Sequence, residues 1–129
     1  MITEFSTHPI PSTSISHTYR AICTEVYDGD TYTMLVDLGF HTYANIRVRL
    51  LGVNTAELDS KDEVERTKAV VARDTTRQLL LNKPCLITTI KDTQSFNRWI
   101  ATVSVVNENS MVDVAVLLLE KDLAEPFKK

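Results

Sequence analysis

The chain has 129 residues, of which 43% are hydrophobic and 24% are charged, and this mix predicts one globular domain with a real core. Its three glycines, Gly29, Gly39 and Gly52, lie too far apart to form a glycine-rich phosphate-binding loop. The net charge is −3, with 14 lysines and arginines against 17 aspartates and glutamates. That balance argues against a protein that coats nucleic acid, because such coating depends on cations that neutralise phosphates.

The start of the chain differs in composition from the rest. Residues 1–17 are rich in serine, threonine and proline and lack periodicity, which indicates a flexible or extended arm before a single domain over residues 18–129. No signal peptide is visible and no apolar run is long enough to span a bilayer, so we expect a cytoplasmic protein without a membrane partner. For Cys23 and Cys85 we expect two buried thiols in strands, with a single disulfide as the alternative.

Five segments alternate apolar and polar side chains at the two-residue period of a strand, and two have helical character. Asp28-Gly29 is a hairpin signal after the first strand. The first helix has Asp62 as its expected N-cap with Glu65 as capping-box partner, and the second has Ser110 as its expected N-cap. The predicted strands are residues 19–28, 31–38, 46–53, 85–90 and 98–106, and the predicted helices are residues 63–81 and 111–122.

The order of these elements is β-β-β-α-β-β-α. It predicts a mainly β fold with α (α+β): a five-stranded Greek-key OB-fold barrel with a long helix between strands three and four and a C-terminal helix. Barrels of this kind commonly bind oligonucleotides or oligosaccharides on one face.

Three short segments carry side chains that together suit one chemistry. They are DGDT at 28–31, RLLGVNTAE at 49–57 and FNRWIA at 96–101. Each alone has a simpler explanation: Asp-Gly is mostly a turn former, a strand arginine is usually solvated or ion-paired, and Trp99 is most simply a core aromatic. In combination they supply what phosphodiester hydrolysis requires.

That reaction needs oxygen ligands for a hard cation such as Ca²⁺, planar donors that grip a phosphate, and a carboxylate that orients or deprotonates water. Besides carboxylates, the oxygens of asparagine side chains and of backbone carbonyls also serve as ligands for such cations. The candidate metal ligands are Asp30, Asn54 and the carbonyl of Thr55; the candidate phosphate-binding residues are Arg49 and Arg98; the candidate base is Glu57.

On these segments the chain resembles the staphylococcal nuclease family, over roughly residues 19–124. The hallmarks of that family are a DGDT hairpin, a strand of the form R-L-x-x-[VI]-D-T-P-E and a later Y-G-R that enters a strand. The resemblance implies an OB barrel with added helices and Ca²⁺-dependent, endonucleolytic cleavage of DNA and RNA with little sequence preference. Residues 36–40, VDLGF, are similar to phage and prophage members.

The resemblance also implies residue roles. Asp30 matches the first metal aspartate, Arg49 and Arg98 match the two catalytic arginines, and Glu57 matches the glutamate often written as general base. Two further residues are predicted to bind substrate. They are Phe96 and Asp28.

The chain departs from the family pattern near this site. Asn54 stands where the motif has its second metal aspartate, so one negative charge is missing and the affinity for Ca²⁺ is expected to fall. Residues 57–65 carry five acids and one lysine, where the type member has a basic loop. Either this acidity weakens the binding of a polyanion, or Asp59 or Asp62 replaces the missing ligand.

Two functions of different classes follow. The first is a Ca²⁺-dependent nuclease acting on DNA or RNA, which the retention of Asp30, both arginines and Glu57 favours. The second is a catalytically weakened or inactive OB module that binds nucleic acid or a protein partner, which Asn54 and the acidic segment favour. A structural role in a phage particle or as a host factor is a third hypothesis. The residues alone indicate no oligomeric state.

Overall fold

The computed structural model describes residues 17–91 and 98–126, with the side chain of Lys91 left out. These ranges contain eight strands and two helices. The strands are β1 (His17–Asp28), β2 (Thr31–Asp37), β3 (Tyr43–Leu50), β4 (Val53–Thr55), β5 (Pro84–Lys91), β6 (Arg98–Asn107), β7 (Ser110–Asp113) and β8 (Ala124–Pro126), and the helices are α1 (Glu63–Leu80) and α2 (Val114–Glu120).

Five of the strands close into a barrel. The antiparallel pairs are β1 with β2, β2 with β3, β1 with β5, and β5 with β6. A parallel pairing between β3 and β6, in which Arg47 lies opposite Arg98, joins the two ends of the sheet. β7 extends the sheet beyond β6, and β4 and β8 form a separate two-stranded sheet. The predicted mainly β fold, with a five-stranded barrel and two helices, is confirmed at this level.

Alternate residues of the barrel strands fill the interior. Tyr32 and Met34 of β2, Val48 of β3, Ile87 of β5 and Val103 of β6 are all fully buried. A buried phenol needs a hydrogen-bond acceptor. The Tyr32 hydroxyl finds one in the carbonyl oxygen of the β1–β2 turn, which ties the core to that turn.

Helix α1 begins at its predicted cap. The Asp62 carboxylate accepts a hydrogen bond from the backbone N–H of Val64 at 3.0 Å, which satisfies one of the donors that a helix start leaves unpaired. The prediction that Glu65 is the capping-box partner is wrong, because the N–H of Asp62 donates to the Ser60 hydroxyl instead. The helix packs on β1, and its Arg77 guanidinium donates to a backbone carbonyl oxygen of that strand.

The second helix is shorter than predicted. Ser110 was the expected N-cap, but residues Ser110–Asp113 form strand β7, paired with the end of β6. The cap is Asp113, whose carboxylate accepts from the N–H of Val116 at 3.1 Å. The short turn after β6 returns the chain along that strand, and this pairing overrides the helical pattern of the following apolar run.

Two other boundaries also move. The third strand was predicted over residues 46–53, but β3 begins at Tyr43, and a turn at Gly52, with φ +84°, separates it from β4. His17, placed in the predicted arm, belongs to β1, and residues 1–16 of that arm lie outside the described residues. No helix within the described ranges combines the length and apolarity that a bilayer span requires.

Cys23 and Cys85 are free, buried thiols, as expected, and no disulfide joins them. Burial raises the pKa of Cys23 to about 12 and the pKa of Cys85 to about 11, since a desolvated thiolate is costly. Both side chains therefore act as small core residues.

Candidate functional site

A polar cavity of about 450 Å³ lies where the β1–β2 turn, the outer face of β3, the segment after β4 and the start of β6 meet. Four separate stretches of the sequence contribute to it. The predicted residues Asp30, Arg49, Glu57 and Arg98 come together there, and so does Asp28. The full lining is Tyr27, Asp28, Asp30, Thr31, Arg47, Arg49, Glu57 and Arg98. Phe96, predicted to bind substrate, lies outside the described residues.

The β1–β2 turn positions the first acids of the site. The backbone N–H of Asp30 donates to the Asp28 carboxylate at 3.0 Å, an Asx-type turn that sets both side chains at one end of the cavity. Gly29 is required here by close packing: a Cβ atom at this position would lie 2.7 Å from the methyl group of Thr55 and 2.9 Å from its hydroxyl oxygen. The Asp-Gly pair therefore lets β4 approach the turn.

Asp30 is buried and firmly held. One carboxylate oxygen accepts the hydroxyl proton of Thr31 at 3.2 Å. The other accepts the backbone N–H of Thr55 at 3.1 Å and lies 3.5 Å from a guanidinium nitrogen of Arg49. Fixed donors on both oxygens hold the orientation of the carboxylate, which a catalytic or ligand group requires.

Arg49 is half-buried, and within the described ranges four acceptors direct its guanidinium. Nη1 donates to the carbonyl oxygens of Leu50 at 3.2 Å and Val53 at 3.3 Å. Nη2 donates to Asp30 and to the side-chain oxygen of Asn54. These acceptors are available because the turn at Gly52 brings β4 back beside the end of β3.

The predicted metal ligands Asp30, Asn54 and Thr55 lie next to one another, but their side chains and backbone make hydrogen bonds within the protein. Asp30 and Asn54 both accept hydrogen bonds from Arg49, and Asn54 is not part of the cavity lining. Thr55 contacts Asp30 through its N–H rather than through its carbonyl. The Thr55 hydroxyl oxygen is buried and has no hydrogen-bond partner within the described part of the chain.

Asp28 is the residue whose electrostatics stand out. Its carboxyl is buried beside that of Asp30. Burial, and to a smaller extent the neighbouring Asp30, raises the pKa of Asp28 to about 6. Two carboxylates that share a desolvated corner repel each other, so an added proton or cation is favoured there. The sequence motif included Asp28, but its close pairing with Asp30 becomes apparent only in the folded turn.

The cavity lining also includes basic and aromatic side chains. Glu57 lies exposed on its rim, and Arg98, the first residue of β6, lies beside Arg47 across the parallel pairing. The Arg47 guanidinium carbon is 5.5 Å from the centroid of the Tyr27 ring, within the range of a cation–π contact. Arg47 and Tyr27 were not among the predicted site residues. Arg47 and Arg49 are two positions apart on one strand and so share a face, which is the sequence signal that could have placed Arg47 at the site.

The acidic segment does not contribute a further ligand. Asp59 and Asp62 are absent from the cavity lining, and the Asp62 carboxylate caps α1. Across residues 17–91 and 98–126, no group of three or more His, Cys, Asp or Glu side chains is arranged to hold a metal ion. Neither Asp59 nor Asp62 therefore stands beside Asp30 in the cavity lining.

No protein-family model matches the chain, and no curated protein matches it closely enough to count as a relative. Function is therefore inferred from the chemistry of the cavity itself.

Proposed function

We propose that this chain is a Ca²⁺-dependent phosphodiesterase of the staphylococcal nuclease type that cleaves DNA or RNA with little sequence preference. The observation that carries the proposal is that Asp30, Arg49, Glu57 and Arg98, from four separate segments, line one cavity. The strand pairing supports the finer fold assignment as well. A three-strand meander followed by a parallel β3–β6 contact, with α1 between the third and fourth barrel strands, is the arrangement expected of a Greek-key OB barrel.

The two arginines bind and stabilise the phosphate in this mechanism. A pentacoordinate phosphorus carries more negative charge on its oxygens than the ground state does, and preorganised guanidinium groups offset that charge. Arg49 is held by backbone carbonyls that substrate does not displace. Its 3.5 Å contact with Asp30 is long, and this is the contact that a phosphate oxygen replaces.

Glu57 accepts the proton of the attacking water. Its carboxylate lies on the cavity rim, where solvent reaches it and where it faces the same space as Arg49 and Arg98. As the water oxygen forms its bond to phosphorus, the proton passes to Glu57 and the ester bond on the opposite side breaks. The freed oxygen leaves towards solvent and takes a proton there.

The proposed cation ligands are the two acids of the β1–β2 turn. Asp28 and Asp30 place two buried carboxylates at one turn, and oxygen ligands of this kind are those that Ca²⁺ prefers. When bound, the ion supplies positive charge that polarises the phosphate. The proposal thus assigns Asp28 as a metal ligand beside Asp30. Asp28 takes the ligand role that the sequence predicted for Asn54.

The test uses purified protein with single-stranded DNA and RNA, first with Ca²⁺ and then with EDTA. We expect cleavage that requires Ca²⁺ and that falls by about 10²–10³ in Arg98→Ala, the usual loss when one charge-stabilising donor is removed. Arg20→Ala is the matched control, because Arg20 is an exposed arginine at a different surface of the barrel. Cleavage that persists in EDTA, or an Arg98→Ala variant as active as Arg20→Ala, contradicts the mechanism.

One observation favours a second function, a nucleic-acid-binding module that does not cut. The guanidinium of Arg49 donates to Asn54 as well as to Asp30, and Asn54 brings no negative charge to the site. An arginine held in this way contributes less to a transition state. Oligonucleotide binding without any cleavage in the same assay supports this alternative over the nuclease.

A further inference from the structure

Tyr27 and Arg47 line the cavity but take no part in the proposed hydrolysis. Tyr27 is the residue before the DGDT turn and is 54% exposed, although it carries an apolar ring. Arg47 is also exposed, and its guanidinium lies 5.5 Å from the centroid of the Tyr27 ring. The cation–π contact favours an arrangement in which both side chains lie together in the cavity lining.

Arg47 has the surroundings of an anion-binding residue. It lies directly opposite Arg98 in the parallel pairing of β3 with β6, so two positive side chains leave neighbouring strands at the same level. Among the residues that the structure describes, no carboxylate lies within 4.0 Å of its guanidinium, in contrast to Arg49 with Asp30.

We propose that Tyr27 and Arg47 form a nucleotide-binding subsite that selects single-stranded nucleic acid. Tyr27 stacks an unpaired base, and Arg47 binds the phosphate next to the one that Arg49 and Arg98 hold. This inference rests on the proposed function and adds the substrate class to it. Base stacking on a protein ring requires an accessible base face, which a duplex does not offer because each base is already stacked on its neighbours.

The dimensions of the cavity agree with this assignment. Its volume of about 450 Å³ lies within the ordinary range for sites that take a small ligand or a nucleotide unit. The Tyr27 ring and the Arg47 guanidinium lie next to each other on its lining. A strand that enters with its phosphates along Arg47 and Arg98 therefore has an aromatic ring beside its bases.

The experiment measures binding separately from cleavage. Fluorescence anisotropy in EDTA compares a short single strand with the matching duplex, and a single 2-aminopurine in the strand reports stacking directly through its quenching. We expect the wild type to prefer the single strand and to quench the probe. Tyr27→Ala should weaken binding by roughly tenfold and abolish the quenching, while Tyr27→Phe should retain both.

Matched controls come from the same barrel. Tyr43→Ala removes a tyrosine that is 56% exposed but lies outside this cavity, and it should change nothing. Arg47→Gln should lower the slope of log Kd against log salt concentration by about 0.7, the value for one phosphate contact to a single strand, whereas Arg20→Gln should not.

The outcomes separate this inference from the proposed function. Equal effects of Tyr27→Ala and Tyr43→Ala, equal affinity for duplex and single strand, or no binding by the wild type each overturn the subsite. None of these decides the nuclease assignment, which depends on Ca²⁺-dependent cleavage and its loss in Arg98→Ala. Binding with stacking but without cleavage supports the subsite and contradicts the nuclease.

Discussion

The two faces of strand β3 carry opposite kinds of side chain. Val48 and Leu50 are fully buried in the barrel, whereas Arg47 and Arg49 line the polar cavity on the other side of the same strand. Successive side chains of a strand point to opposite faces, so one segment serves as a wall of the core and as a wall of the site. The barrel interior thereby sets the positions of the cavity residues.

The two regions are joined at the β1–β2 turn. The hydroxyl of the buried Tyr32 donates to the carbonyl oxygen of Gly29 at 2.5 Å, and the N–H of Leu50 donates to the carbonyl oxygen of Asp30 at 2.8 Å. The core is apolar, while the cavity holds two close acids and three arginines, of which Arg47 is exposed. Changes in the core should therefore lower stability, and changes in the cavity should lower function while leaving stability unchanged or higher.

The largest effect on stability is expected in the core. Ile87→Ala removes a fully buried side chain and should lower the free energy of unfolding by about 2–5 kcal/mol, since a cavity remains where the methyl groups were. Urea unfolding followed by circular dichroism measures this change. Ile90→Ala, on the same strand but 46% exposed, is the control and should cost much less. Equal losses would show that burial in the barrel does not distinguish these positions.

A change at the junction of the two regions should have an intermediate effect. Gly29→Ala places a Cβ atom 2.7 Å from the methyl group of Thr55, and we expect a loss of about 1–3 kcal/mol from this overpacking. Thermal or urea unfolding provides the measurement. Adding Thr55→Ala to Gly29→Ala removes the methyl group and the hydroxyl that clash, and should restore part of the stability. If the double variant loses more free energy of unfolding than the two single variants lose together, the steric explanation is contradicted.

The smallest effect has the opposite sign. Asp28 is buried beside Asp30 and has a raised pKa of about 6, so its ionised form destabilises the folded state above that pH. In buffer with EDTA at pH 7, Asp28→Asn should raise the free energy of unfolding by about 1–2 kcal/mol, because an amide oxygen can still accept the N–H of Asp30.

The pH dependence provides the control for that variant. The destabilisation by Asp28 is fully present above about pH 6 and disappears as the pH falls through 6 towards 4, so the wild type should gain stability in this window. Asp28→Asn should lack that gain. If the two proteins show the same pH profile of stability in EDTA, Asp28 does not cause the gain in stability of the wild type.

Features that depend on neighbours in the sequence were predictable. The β1–β2 hairpin follows from Asp28-Gly29, and the start of α1 follows from Asp62, whose carboxylate reaches an N–H only two residues away. The burial of both cysteines and the alternation of β3 follow from composition and from the two-residue period. The convergence of Asp30, Arg49, Glu57 and Arg98 was expected from the resemblance, and the four residues do share a cavity.

Features that depend on distant partners were not predictable. Ser110 precedes an apolar run and has the signal of a helix cap, yet residues Ser110–Asp113 pair with β6 as a strand. Strand β8 forms only because residues Ala124–Pro126 meet β4, about 70 positions earlier in the chain. Pairing with a distant strand satisfies backbone hydrogen bonds that no local pattern records.

The sequence by itself determined the five barrel strands, the long helix and the chemical kinds of side chain at the site. Only the tertiary structure decided which of them meet: Arg49 with Asn54 and Asp30, Arg47 with Tyr27, and Asp28 with Asp30 in one buried corner. The physical reason is that side-chain identity is a local property, whereas burial, ion pairing and the resulting pKa depend on barrel closure, which brings segments far apart in the chain within a few ångströms.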